Sequence, residues 1–89
     1  MVTSALHQEE VVAKSGDLVA IGRPAQNEVQ VFRRRKSEEG GLTLLETINP
    51  TDQNTRGFGS EVSLVYASEG WWVTIYSLTG EALSKRVEE

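Results

Sequence analysis

The sequence predicts an all-β protein, an antiparallel meander of six to seven strands, with a small self-contained barrel or sandwich as the alternative. Three observations carry this. Apolar residues alternate or run together over short stretches rich in β-branched and aromatic side chains. Glycine, proline and asparagine punctuate those stretches at close intervals. No amphipathic stretch of helix length separates them, which excludes parallel strand–helix–strand units and leaves short antiparallel connections.

The opening segment reads two ways. Ser4 is placed to cap a helix over Ala5 to Ala13 that stops at Gly16, whereas the β-branched Val11 and Val12 favour a strand. From Asp17 the pattern is strand after strand. Leu18-Val19-Ala20-Ile21 is a continuous apolar run, read as buried on both faces and closed by Gly22 and Pro24. Asn27 turns the chain into Glu28–Phe32, where Val29 and Val31 share a face. Next come Leu42–Ile48, with Leu42, Leu44 and Ile48 expected on one face, and the stop at Asn49-Pro50. A polar loop, Thr51 to Gly59, precedes the alternating strand Glu61–Tyr66. Ser68-Glu69-Gly70 is a tight turn into Trp71–Leu78. Thr79-Gly80 makes another hairpin turn, and Ala82–Val87 is the last strand.

Bulk properties narrow the function. Eighty-nine residues form a single domain, residues 1–89. The charge is −4, from 13 acidic against 9 basic residues, and this argues against a nucleic-acid binder or docking on an anionic membrane. With no cysteine there is no disulfide framework, thiolate zinc site or cysteine nucleophile. The N-terminus lacks the basic and apolar regions of a secretory signal, and no apolar run reaches the length of a membrane span. The expectation is a cytoplasmic protein.

Three pieces of the chain, in order, resemble the FG-GAP repeat, the blade unit of integrin-α-type β-propellers. Gly16-Asp17-Leu18-Val19-Ala20-Ile21-Gly22-Arg23-Pro24 is similar to the family's Gly-Asp, four apolar residues, Gly-Ala-Pro segment. Val29-Gln30-Val31-Phe32 resembles the strand that follows. Leu44–Pro50 and Gly57-Phe58-Gly59-Ser60-Glu61-Val62-Ser63-Leu64 resemble the run into the next Phe-Gly unit, so the likeness spans about residues 16 to 64. Arg23 stands where the family has a small residue, and no second Gly-Ala-Pro corner follows Phe58-Gly59. The resemblance implies a β-propeller-blade-like fold. Propellers use about 4–8 four-stranded blades, more than this chain supplies, so it also implies a homo-oligomer or a protein partner.

Calcium is the cofactor that the resemblance brings into question. Asp52 and Asn54 alternate as oxygen ligands would, but Arg56 puts a cation at the third position of a site that needs six to eight oxygens. The residues therefore predict no metal and no cofactor. The basic run Arg33-Arg34-Arg35-Lys36 reads as a charged guard on a hairpin tip. His7 is the only histidine and has no marked metal or catalytic partners. Asp17, Glu28, Glu46 and Glu61 have no spacing that sets one apart as general acid and another as base, so no catalytic residue is named and no enzyme is expected.

The aromatic strand is the candidate binding element. Alternation sends Trp71, Val73 and Ile75 to the core, and Trp72, Thr74 and Tyr76 to the other face. Rings mixed with hydroxyls and an indole N–H suit a protein interface. The expected function is a non-enzymatic β-sheet module acting by self-association or partner binding through Trp72, Thr74 and Tyr76. The alternative is a small-ligand or carbohydrate-binding module that stacks its ligand on the same aromatics.

Overall fold

Seven strands form where the β-branched and aromatic runs lie, and turn residues set their ends. The structure is a computed structural model describing residues 10–35 and 40–87. The strands are β1 (Val11–Ser15), β2 (Leu18–Arg23), β3 (Glu28–Arg34), β4 (Leu42–Ile48), β5 (Glu61–Ala67), β6 (Gly70–Tyr76) and β7 (Ala82–Arg86). Among the described residues there is no α-helix, only one 3-10 turn over Pro24–Gln26, and no helix long and apolar enough to cross a membrane. Val11, Val12 and Ala13 are in β1, which overturns the helical alternative for these three residues; Ala5 to Glu9, like His7 and Lys36, lie outside the described residues.

All pairings are antiparallel, as expected, but they form two meanders, β1-β2-β3-β4 and β5-β6-β7. Neither sheet closes on itself, so the barrel alternative gives way to two open sheets. The break falls at the polar connection after Asn49-Pro50, where proline cannot continue the ladder.

One face of each sheet feeds a single core. Leu18, Ala20, Val29, Val31 and Ile48 come from the four-stranded sheet, Val62, Val73 and Ile75 from the three-stranded one. Trp71 packs against this cluster, as its alternation with Val73 and Ile75 predicts. β5 makes the closest approach between the sheets, against β1 and β2. Farther across, the nearly buried carboxylate of Glu46 on β4 pairs with Lys85 on β7. Leu18, Val19 and Ala20 are all buried, but Ile21, on the outer side of β2, is only half-buried, so the expected burial on both faces holds at Val19 and not along the whole run.

β4 departs from simple alternation. The register shifts between Val31 and Phe32, with Val31 opposite Glu46 and Phe32 opposite Leu44. The extra residue, Leu45, packs on the core, while Leu42 and Leu44 are exposed and Ile48 is buried. A bulge reverses the phase of a strand, so the three residues expected on one face are divided between two.

Two hairpins carry testable local energetics. Ser68 and Glu69, the two residues between β5 and β6, both have positive φ, 52° and 65°. That conformation costs an L-residue about 1–2 kcal/mol and none for glycine. Glu69→Gly is therefore expected to raise stability by about 1 kcal/mol, seen as a higher urea midpoint at unchanged slope.

In the β6–β7 hairpin, the Ser77 hydroxyl lies 2.6 Å from Glu81 Oε1, and the Thr79 hydroxyl donates to the same oxygen. These donors favour the ionised carboxylate and hold the Glu81 carboxyl below its ordinary range. A depressed carboxyl contributes stability above the ordinary glutamate pKa, and loses it as pH falls through the folded-state value. Glu81→Gln should flatten this acid limb in a pH series of denaturation curves and leave neutral-pH stability less dependent on acidification.

Candidate interaction surface

The site is built on the central strand of the three-stranded sheet. In β6, Trp71, Val73 and Ile75 face the core, so the two-residue period points Trp72, Thr74 and Tyr76 outward. Val65 of β5 lies directly opposite Trp72, and Arg86 of β7 flanks it on the other side. The structure thus brings all three predicted residues onto one face and adds Val65, 51% exposed, beside them.

The polar handles of this face are largely engaged within the sheet. The Trp72 indole N–H donates to the Ala67 carbonyl at 3.2 Å. The Thr74 and Ser84 hydroxyls are 2.9 Å apart. Tyr76 is 42% exposed, and its carbonyl accepts the backbone N–H groups of Gly59 and Ser60, both at 3.1 Å. What is left is ring surface on a strand paired on both sides, beside the exposed Ser63 and Glu61 of β5.

The polar loop after β4 is more ordered than its composition suggests. Asp52 Oδ1 accepts the Asn54 N–H at 2.8 Å, and the Arg56 guanidinium reaches the carbonyls of Gln53 and Thr55, both at 3.1 Å. Arg56 is thereby tied back onto its own loop. Thr55, Gly57, Phe58 and Gly59 are buried. Asn27, in the left-handed conformation at φ 54°, clasps this buried part from both ends. Its amide donates to the Thr55 carbonyl at 2.9 Å and accepts the Phe58 N–H at 3.0 Å.

A cavity of about 250 Å³ opens between this loop and the start of β7, lined by Pro50, Asp52, Thr55, Phe58, Glu81 and Leu83 among others. Both of its carboxylates are already engaged, Asp52 with Asn54 and Glu81 with Ser77 and Thr79. None of Trp72, Thr74 and Tyr76 lines it. The carboxylates weighed for acid–base work are dispersed: Asp17 in the β1–β2 turn, Glu28 beside Arg23, Glu46 against Lys85, and Glu61 at the start of β5. Among the described residues no three His, Cys, Asp or Glu side chains gather as a metal site would require. In the basic run, Arg34 donates its backbone N–H to the Asp17 carbonyl at 2.7 Å, and the Arg35 side chain donates to Thr43 at 2.9 Å, at the β3–β4 end of the sheet.

A second surface goes unnoticed in the sequence. On the four-stranded sheet, Val12, Val19, Ile21, Phe32 and Leu44 lie on the face turned away from the core. Alternation within β1 to β3 marks Val12, Ile21 and Phe32, but the bulge in β4 hides Leu44. No family model matches the chain, and no curated protein or solved structure was found to match it. The fold and its surfaces define a two-sheet all-β protein with an outward-facing aromatic strand.

Proposed function

We infer that this chain is a non-enzymatic β-sheet module that works by association, with Val65, Trp72, Thr74 and Tyr76 as its contact surface for another protein. The observation that carries the reading is the outward row on β6. Trp and Tyr, the residue types that dominate binding energy at interfaces, sit there on a strand fixed from both sides. The FG-GAP resemblance agrees with it. Gly22 of the Gly22-Arg23-Pro24 corner and the Phe58-Gly59 pair lie in contact distance, and one four-stranded meander is followed by three strands of another. A propeller-blade-type unit of this kind leaves outer sheet faces that need covering.

The test is site-specific crosslinking in the cell. A photoreactive amino acid in place of Tyr76 should give discrete covalent products with a protein, either a second copy or a different chain. The same group in place of Arg56, exposed on the loop, should give several-fold less. Equal yields at the two positions would remove the surface from consideration. A carbohydrate-binding module would instead show saturable Trp fluorescence changes against a sugar panel, and the association reading predicts none.

A further inference from the structure

We propose that the cavity between the loop after β4 and the start of β7 is a binding site for a primary alkylammonium group, the charged end of a lysine side chain or of a free aliphatic amine. This site goes beyond the contact surface on β6 and shares no residue with it, so either can fail alone. The space lies where two segments stop short of each other. Pro50 ends the ladder beyond β4, and Asn27 holds the buried part of the loop at Thr55 and Phe58. Glu81, Ala82 and Leu83 form the facing wall.

The polar lining is made of acceptors. Asp52 and Glu81 contribute two carboxylates, and no lysine, arginine or histidine among the described residues lines the cavity. Arg56, the cation of the loop, is turned to the Gln53 and Thr55 carbonyls. One oxygen of each carboxylate is anchored and the other is open. Asp52 Oδ1 accepts the Asn54 N–H, and Glu81 Oε1 accepts the Ser77 and Thr79 hydroxyls, whereas Oδ2 and Oε2 make no hydrogen bond to the described residues.

The third acceptor is the Thr55 hydroxyl. Thr55 is 2% exposed, its backbone N–H donates to the Asp52 carbonyl, and its own carbonyl accepts from Asn27 and Arg56. Its Oγ1 bonds to none of the described residues, yet no side-chain polar atom among them is both enclosed and unpaired. The hydroxyl therefore opens on the cavity that Thr55 lines. A buried hydroxyl left without a partner is costly, and a ligand that donates to it relieves that cost.

Three separate acceptors match the three N–H donors of an ammonium group. A guanidinium, whose planar fork favours both oxygens of one carboxylate, fits less well where each carboxylate offers one. Pro50, Phe58, Ala82 and Leu83 supply an apolar wall for the methylene stem. The volume of about 250 Å³ falls below the range of about 300–1,000 Å³ usual for larger ligands, and suits a group the size of one side chain. Two carboxylates and a hydroxyl fall short of the roughly six to eight oxygens that calcium takes.

Titration of the isotope-labelled full chain with butylammonium chloride, followed by backbone amide shifts, tests this. Saturable shifts are expected at Thr55, Phe58 and Leu83, with a midpoint in about the millimolar range for a ligand of so few atoms. Val65 and Trp72 should not respond. Asp52→Asn and Glu81→Gln should each weaken binding about tenfold, and Thr55→Val about threefold. Both carboxylates are exposed at the rim, so their variants do not depend on how the Thr55 variant folds. Acetyl-lysine methylamide and cadaverine separate the sources. Several-fold tighter binding of the first assigns the site to a lysine of a partner protein, and of the second to a free amine; either result supports it. Absence of saturable shifts with butylammonium would overturn the proposal, as would an equal response to pentanoate at matched ionic strength. A response to calcium chloride in place of butylammonium would also overturn it, and so would wild-type affinity in both carboxylate variants.

Discussion

Gly22→Ala is expected to cost about 3 kcal/mol or more, the largest loss from any single methyl group in this protein. A β-carbon at position 22 would lie 2.2 Å from the Gly59 carbonyl oxygen, and 2.9 Å from Val62 Cγ2. Gly22 does not have a positive φ, so the cost is steric and not conformational. Overpacking a core costs about 1–3 kcal/mol when side chains can yield, and more when backbone must move. Here the obstructing atom belongs to backbone that is itself fixed, because the Gly59 N–H donates to the Tyr76 carbonyl at 3.1 Å. Relief would have to separate β2 from the loop that leads into β5. A domain of this length has about 4–13 kcal/mol in total, so much of the population should unfold in mild denaturant. Urea titration checks it, and a loss below about 1 kcal/mol would show that the two glycines are not in contact.

Phe58→Ala should be comparably severe, at about 3–5 kcal/mol. Phe58 is 3% exposed and belongs to the cluster formed by both sheets, so its truncation leaves a void that neither sheet can fill alone. Its backbone is fixed by Asn27 and its neighbour Gly59 by Tyr76, which limits collapse into the space. Phe58→Leu retains most of the volume and should lose about 1–2 kcal/mol. Near-equal stabilities for the alanine and leucine variants would mean that the ring is not packed as described.

Much of the fold is legible in the residues. Gly16, Asn27, Ser68-Glu69 and Gly80 mark turns that the structure places between paired strands, and Val29, Val31, Val73 and Ile75 announce their buried faces by alternation. The parts that escape have identifiable causes. A bulge has no reliable local signal, so the extra residue at Leu45 reverses the faces of Leu42 and Leu44. The loop from Thr51 to Gly59 reads as solvated because its side chains are polar, yet its buried half is held by Asn27, which lies about thirty residues away in sequence. The division into two sheets depends on which edge each strand finds, and alternation does not encode that.

The candidate surface was partly legible too. Trp72, Thr74 and Tyr76 share the face that a two-residue period assigns to them. The sequence does not disclose that Trp72 and Thr74 direct their polar atoms to Ala67 and Ser84, which shifts the chemistry of the surface from hydrogen bonding toward apolar contact. The outer face of the four-stranded sheet was obscured for the same reason as the β4 phase.

Association through the β6 face is most directly tested by hydroxyl-radical footprinting, comparing the chain in its cellular setting with the purified chain at high dilution. Tyr66 is the internal reference, since it is 60% exposed and belongs to the inward-facing row of β5, where it makes an edge-to-face contact with Trp71 at 5.3 Å. The expected result is strong labelling of Trp72 and Tyr76 on dilution and marked protection in the cell, while Tyr66 labels equally in both. If Trp72 and Tyr76 label in the cell as they do on dilution, the β6 face is not an interface and the proposed function is wrong.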